Sequence, residues 1–265
     1  MDTKATEKAV QRPGDRTLST VDDQLDVLVA KWIRVGVGFA AQPAHESPDL
    51  ERLLLETVRL APGMSRLFIM SATWLHRYGD LIAKHRLRRL IHDELEPEHR
   101  AAMGLLLEIA QQDSHPPQFA SIIRELSPEA EPRPLFDIER TPSSAAERAR
   151  RRASPTSLRW GIWCEEFEFK ENALRPPVWV MGHNPGLITR ADFRGDLRAS
   201  VLASLEHDAG AGLSELHLAR CSGGSRAQVR SSLDNLEMTG RVRRIRMDGE
   251  KRTRIELVQR AVKAG

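Results

Sequence analysis

Between Asp196 and Val258 the hydrophobic period of the chain switches from helical to strand-like, and few folds satisfy both in so short a stretch. Leu197, Val201, Leu202 and Leu205 recur at helical spacing and run into Gly210-Ala211-Gly212. A short helix is predicted to begin near Leu213-Ser214-Glu215, with Leu213, Leu216 and Ala219 facing inward. Ser222-Gly223-Gly224 interrupts the chain, and Ser225 is placed to cap a further helix over 226–239. The inner face of that helix is Val229, Leu233 and Leu236, and Gly240 suits the left-handed conformation that ends a helix. Beyond it, Ile245 and Met247 alternate with polar residues, as do Ile255 and Leu257. Asp248-Gly249 between them is a tight-turn signal, so the segment closes as a two-stranded hairpin.

This order of helix, helix, turn, helix and hairpin resembles the winged helix-turn-helix superfamily. The resemblance rests on Leu213-Ser214-Glu215-Leu216, on Ala219, and on Ser225-Arg226-Ala227-Gln228-Val229-Arg230. Leu233, Leu236, Gly240 and Val242 complete it. The glycine-rich Ser222-Gly223-Gly224 turn departs from the pattern. The likeness is confined to the C-terminal part of the chain, and the preceding residues resemble no family.

The resemblance implies binding to double-stranded DNA. In such a fold the N-terminal half of the third helix enters the major groove. That half carries Ser225, Arg226, Gln228, Arg230 and Ser231. Arginine reads guanine, glutamine reads adenine, and serine donates to phosphate. Between Arg241 and Arg254 stand Arg241, Arg243, Arg244, Arg246, Lys251, Arg252 and Arg254, against only Asp248 and Glu250: seven basic and two acidic side chains, net +5. Arg243, Arg244, Arg246, Lys251, Arg252 and Arg254 are therefore candidate contacts along a phosphate backbone. The whole chain carries only +3, so this charge is local. The same fold also serves as a protein-interaction module, with the hairpin arginines facing an acidic partner.

The chain has 265 residues, enough for two modest domains. A helix is predicted over 21–42 (Leu25, Val27, Leu28, Trp32, Val35, Phe39), capped by Ser19 or Thr20, and a second over 49–60, started by Ser47-Pro48. The most apolar segment, 65–78, is expected to be the central helix of an all-α domain. A basic amphipathic helix over 80–92 (Lys84, Arg86, Arg88, Arg89) is a candidate second phosphate contact. Helices from Pro97 and over 118–126 complete the domain. Residues 127–157, punctuated by Pro128, Pro132, Pro134, Pro142 and Pro155, are predicted to be a linker with a short helix over 144–152. Its arginines 148, 150, 151 and 152 suit a solvated basic face or a phosphate contact. Residues 158–188 hold Trp160, Trp163 and Trp179, with Val178-Trp179-Val180-Met181 predicted as a short extended segment. This stretch is expected to pack the helical domain onto its neighbour, with a ligand pocket as the alternative.

The expected fold class is thus mainly α: an N-terminal helical domain plus a C-terminal winged helix-turn-helix with a small β-hairpin wing. The divisions are a disordered 1–18, a helical domain over 19–127, a Pro/Arg-rich linker over 128–157, a Trp-containing connector over 158–193 and the winged helix over 194–260. No phosphate-binding loop, nucleophile elbow or His-Glu-x-x-His motif occurs. His85, His92 and His99 are read as surface histidines, and Glu165, Glu166 and Glu168 beside Cys164 as exposed charge. No catalytic residue, metal or cofactor is expected. With two cysteines and no long apolar run, the expectation is a cytoplasmic protein without a membrane span. The expected function is sequence-specific binding of double-stranded DNA, as a transcriptional regulator acting as a homodimer. The alternative is an antitoxin-like or adaptor protein, whose helical domain binds a second protein while the winged helix autoregulates or mediates protein contacts.

Overall fold

The computed structural model describes residues 13–113, 117–246 and 253–258. Among them the chain is mainly helical, with two small two-stranded sheets. No helix among the described residues is long and apolar enough to cross a membrane.

Helix α1 (Pro13–Arg34) begins inside the stretch expected to be disordered and stops well short of residue 42. Ser19 and Thr20, the expected caps, fall within the helix and not at its start. Its end is set by Gly36, whose φ of +101° breaks the helical path. Helix α2 (Leu50–Leu60) is capped by Asp49, whose side chain accepts from Arg52 N. Helix α3 (Ser65–Tyr78) is buried on most of its circumference. The next helix, α4 (Lys84–Glu94), starts later than residue 80 because Gly79–Leu81 forms a separate 3-10 turn. Its first turn is satisfied from outside: Ala83 N donates to Glu51 Oε1 (2.8 Å) and Arg86 N to Ser200 Oγ (3.3 Å). Helices α5 (Pro97–Ala110) and α6 (Ala120–Ile123) follow.

The residues expected to form a linker, 128–157, are instead ordered and packed, and the tryptophan-bearing stretch after them packs against the helical core. They form strand β1 (Arg133–Pro134), helix α7 (Ser143–Arg152), helix α8 (Pro155–Arg159) and strand β2 (Ile162–Trp163). β1 and β2 pair in parallel, Arg133 opposite Ile162. The predicted extended segment at 178–181 is helical, within α9 (Pro177–His183), and α10 (Pro185–Ala191) follows. The residue pair Pro176-Pro177 starts that helix rather than breaking it, since proline is tolerated in a first turn.

One apolar core runs from Leu28 to Leu187 and includes Leu135, Phe136, Trp160, Ile162, Leu174 and Val180. At its centre the Trp32 and Trp74 rings meet edge to face, 5.6 Å apart. Each indole N–H has a partner, Thr57 Oγ1 for Trp32 and Val35 O for Trp74. Trp160 closes the core against α5. Its ring lies on Gly104, where an added Cβ would approach to 2.2 Å, and its N–H donates to Glu108.

A second core holds Leu197, Val201, Leu202, Leu218, Ala219, Val229, Leu233, Leu236, Val242 and Ile255. It belongs to α11 (Leu197–His207), α12 (Glu215–Ser222), α13 (Arg226–Met238) and an antiparallel hairpin, β3 (Val242–Arg246) with β4 (Thr253–Leu257). Val242 pairs with Leu257 and Arg246 with Thr253. The predicted turn at Asp248-Gly249, with Met247, lies outside the described residues.

A mid-helix glycine ordinarily costs about 1 kcal/mol relative to alanine. At Gly104 the sign reverses, because the indole of Trp160 occupies the space a methyl would need. Gly104→Ala is expected to destabilise the protein by about 1–3 kcal/mol, measured by urea denaturation. An increase in stability would show that Trp160 does not sit on this helix.

Candidate functional site

The C-terminal unit is built by a sequence of caps. Asp196 accepts from Arg198 N and Ala199 N at the start of α11. Ser214 accepts from His217 N at the start of α12. Ser225 and Gln228 form a reciprocal capping box on α13: Ser225 Oγ accepts from Gln228 N, and Gln228 Oε1 accepts from Ser225 N at 3.0 Å. The Ser222-Gly223-Gly224 turn is sterically required. Gly223 has φ +76°, and a Cβ there would meet His85 O at 2.3 Å. A Cβ on Gly224 would meet Leu197 at 2.8 Å. Gly240 (φ +66°) ends the α13 segment as its position in the sequence suggested.

Val229, Leu233 and Leu236 are buried, and Arg226, Gln228, Arg230 and Ser231 are exposed. The inner face of α12 differs from expectation. Leu218 and Ala219 point inward, whereas Leu213 and Leu216 are 53% and 48% exposed. The short turn Ala211–Leu213 before Ser214 shifts the helical phase relative to a helix starting at Leu213.

The charged residues are less free than the sequence implied. Arg230 donates to Glu215 Oε2 (3.0 Å). Arg244 is ringed by Asp234 and Glu237, each at 2.8 Å, and by Glu215 at 3.6 Å. Arg243 pairs across the hairpin with Glu256 (2.7 Å). Arg241 pairs with Asp192 (2.5 Å) and lies over the Phe193 ring. Arg254 is half-buried opposite Ile245. Lys251 and Arg252 lie outside the described residues. Among the described residues, Arg226 and Arg246 make no ion pair with a carboxylate. The local excess of positive charge is therefore reduced by carboxylates on neighbouring elements, which counting along 241–254 misses. Such exposed pairs contribute about 0–1 kcal/mol each and can be exchanged for other anions.

The basic helix α4 offers less free charge than its composition implied. Arg86 is completely buried and Arg88 pairs with Glu125. Arg86 instead centres the junction between the two cores. Its guanidinium grips Asp49 through Nη1 and Nη2 (2.7 and 2.6 Å) and Asp208 through Nε and Nη2 (3.0 and 2.9 Å). Nη1 also donates to Glu51 Oε2 (2.8 Å). Arg52 bridges Asp49, Glu94 and Asp208, and buried Arg190 reaches Glu51 (3.0 Å). Burial opposes ionisation of Asp49, but the Arg86 guanidinium outweighs it and holds the carboxyl well below the usual range. Asp208 is depressed through the same balance of burial against Arg86 and Arg52.

No other cluster points to chemistry. His92 is exposed and His85 and His99 are half-buried. No group of three or more potential ligands able to hold a metal occurs among the described residues. The Cys164 thiol is pushed up to about 12 by burial and by Glu139 and Glu165, which opposes a nucleophilic role. Glu165, Glu166 and Glu168 are exposed. In the basic run on α7, Arg150 lies over Trp163 and Arg152 pairs with Glu165.

Compared with known proteins, the chain matches no family model, no curated protein and no solved structure.

Arg86→Ala would leave Asp49, Glu51 and Asp208 without their shared cation. Loss of one partner from a buried ionic cluster costs about 3–5 kcal/mol, and denaturation should show a loss of that size. The depressed carboxyls also fix a pH dependence. Their stabilisation is complete above the unfolded-state value of about 4 and is lost as pH falls below it towards the folded-state values. Wild type should therefore lose stability below about pH 4, and Asp208→Asn should flatten that loss. An unchanged acid limb in Asp208→Asn would remove Asp208 from the cluster.

Proposed function

We propose that residues 196–258 are a winged helix-turn-helix that binds double-stranded DNA, and that the protein is a sequence-specific transcriptional regulator acting as a cytoplasmic homodimer. The observation that carries this reading is the disposition of α13. Its inner face is buried on the second core, its N-terminus is fixed by the Ser225–Gln228 box, and Arg226, Arg230 and Ser231 project outward from its first two turns. A groove-reading helix presents side chains from that end.

The capping box divides the labour among these residues. Ser225 Oγ and Gln228 Oε1 are occupied by backbone N–H groups, so both serve first to hold the helix start. Gln228 retains its amide N–H donors for an acceptor on a base. Arg226, at the helix start, makes no ion pair among the described residues, and Arg230 joins it by leaving Glu215. Arg243, Arg244 and Arg246 are the proposed phosphate contacts on β3, with Arg244 the most tightly held by its own carboxylates.

A second reading is favoured by Leu213 and Leu216, two exposed leucines beside a surface whose arginines are largely paired. A protein partner would cover such a pair, as in an antitoxin-like or adaptor protein.

Duplex binding across a salt series separates the two. Wild type should bind at low salt, with affinity falling steeply as salt rises. The Arg226→Ala, Arg230→Ala double variant should lose about 1–3 kcal/mol per base contact and relax sequence preference. Arg246→Ala should weaken binding to all sequences alike and reduce the salt slope by about one. Absence of duplex affinity at low salt would sink the regulator reading. Equal affinity and preference in the double variant would remove α13 from the interface.

A further inference from the structure

Where α10, α11 and the base of the hairpin meet, the surface opens into a cleft of about 500 Å³. That volume falls in the range of small-molecule sites, about 300–1,000 Å³. Its walls are mostly apolar, from Pro185, Ile188, Leu202 and Leu257. Its charged groups are Glu206, Asp192 and Arg241. Asp192 and Arg241 neutralise each other. Glu206 is left in excess. Its Oε2 lies 3.7 Å from Arg190 Nη2 and 3.5 Å from His207 Nε2, but Arg190 is already bound by Glu51. Its Oε1 has no hydrogen-bond partner among the described residues. It lies beside Gly186, where a Cβ would come within 2.9 Å of it, so the missing side chain keeps that oxygen accessible.

We propose that this cleft binds a small amphipathic cation. The apolar body lies between Ile188, Leu202 and Leu257, and a protonated amine donates to Glu206 Oε1. The charge balance selects the head group: the excess carboxylate attracts an ammonium and repels a carboxylate or phosphate. A bound molecule touches α10, whose Arg190 enters the buried ionic cluster, and Arg241 at the start of β3. It therefore sits where the two cores meet. The assignment does not depend on what the C-terminal unit binds.

The test is calorimetric titration of the full chain with three probes of one skeleton: phenethylamine, phenethyl alcohol and phenylacetate. The amine should bind saturably and tightest, and phenylacetate weakest. Glu206→Gln removes the charge from that hydrogen bond and should weaken the amine by about tenfold or more. The same variant should leave the alcohol unchanged. Thr189→Trp, which fills the cleft from α10, should abolish binding of both. No saturable binding of the amine would overturn the proposal, as would amine and carboxylate binding alike. Amine binding that survives Thr189→Trp would place the site elsewhere. Binding seen only after removal of residues 259–265 would assign the cleft to the chain's own end and overturn it too.

Discussion

The relation between the two cores depends on one buried guanidinium. Arg86 satisfies carboxylates from the start of α2 and from the end of α11, while the backbone N–H of the same residue donates to Ser200 on α11. A lone charge at this depth would be strongly unfavourable, and so would any of its three carboxylates. The cluster is consistent only when complete. That makes it a specificity device: sliding one core over the other leaves buried charges unpaired, a much steeper penalty than losing apolar contact. Gly223 supports the same register from the other side, because only a residue without a Cβ lets the α12–α13 turn lie against His85 O.

The covalent join between the cores is just as confined. Five residues, 192–196, separate α10 from α11. Asp192 holds Arg241 of the hairpin, the Phe193 ring lies under both Arg198 and Arg241, and Gly195 (φ +73°) fits against Ile82 O. Nothing here behaves as a free tether. The segment that resembles a linker in composition, 128–157, lies far upstream and is folded into the first core through Leu135, Phe136 and the β1–β2 pairing.

Much of the C-terminal unit was legible because its signals are local. Ser225 before a helix, Gly240 at its end, and Val229, Leu233 and Leu236 at helical spacing each state their conformation within one or two turns, while the reciprocal part of Gln228 in the cap emerged only from the structure. In the N-terminal body the 65–78 run is legible for the same reason, whereas the cap of α2 is Asp49 and not the Ser47-Pro48 pair that marked its start in the sequence. The failures are non-local. Proline and charge density made 127–157 look like a linker, yet a few apolar side chains suffice to anchor it. β-Branched and aromatic residues made 178–181 look extended, and the two prolines before it started a helix instead. Arg86 sits in a run of basic residues, and only the distant Asp49, Glu51 and Asp208 explain why it turns inward. The inward placement of Leu213 and Leu216 failed through a single short 3-10 turn.

The same distinction governs the electrostatics of the proposed interface. Charge counted along 241–254 treats each arginine as available, but Glu215, Asp234, Glu237 and Glu256 approach from α12, α13 and β4. Before an arginine reaches a phosphate it must leave a carboxylate, and the net gain is the difference between two solvent-exposed pairs. For Arg243 that exchange is with one exposed partner, whereas Arg244 would abandon three. A polyanion compensates because its phosphates are closely spaced and their counterions are released together, a term single carboxylates lack. The self-pairing therefore lowers affinity for isolated anions more than for a duplex. At the proposed interface it favours a continuous phosphate backbone over isolated anions, and Arg226, which has no carboxylate partner among the described residues, is the proposed reader of sequence.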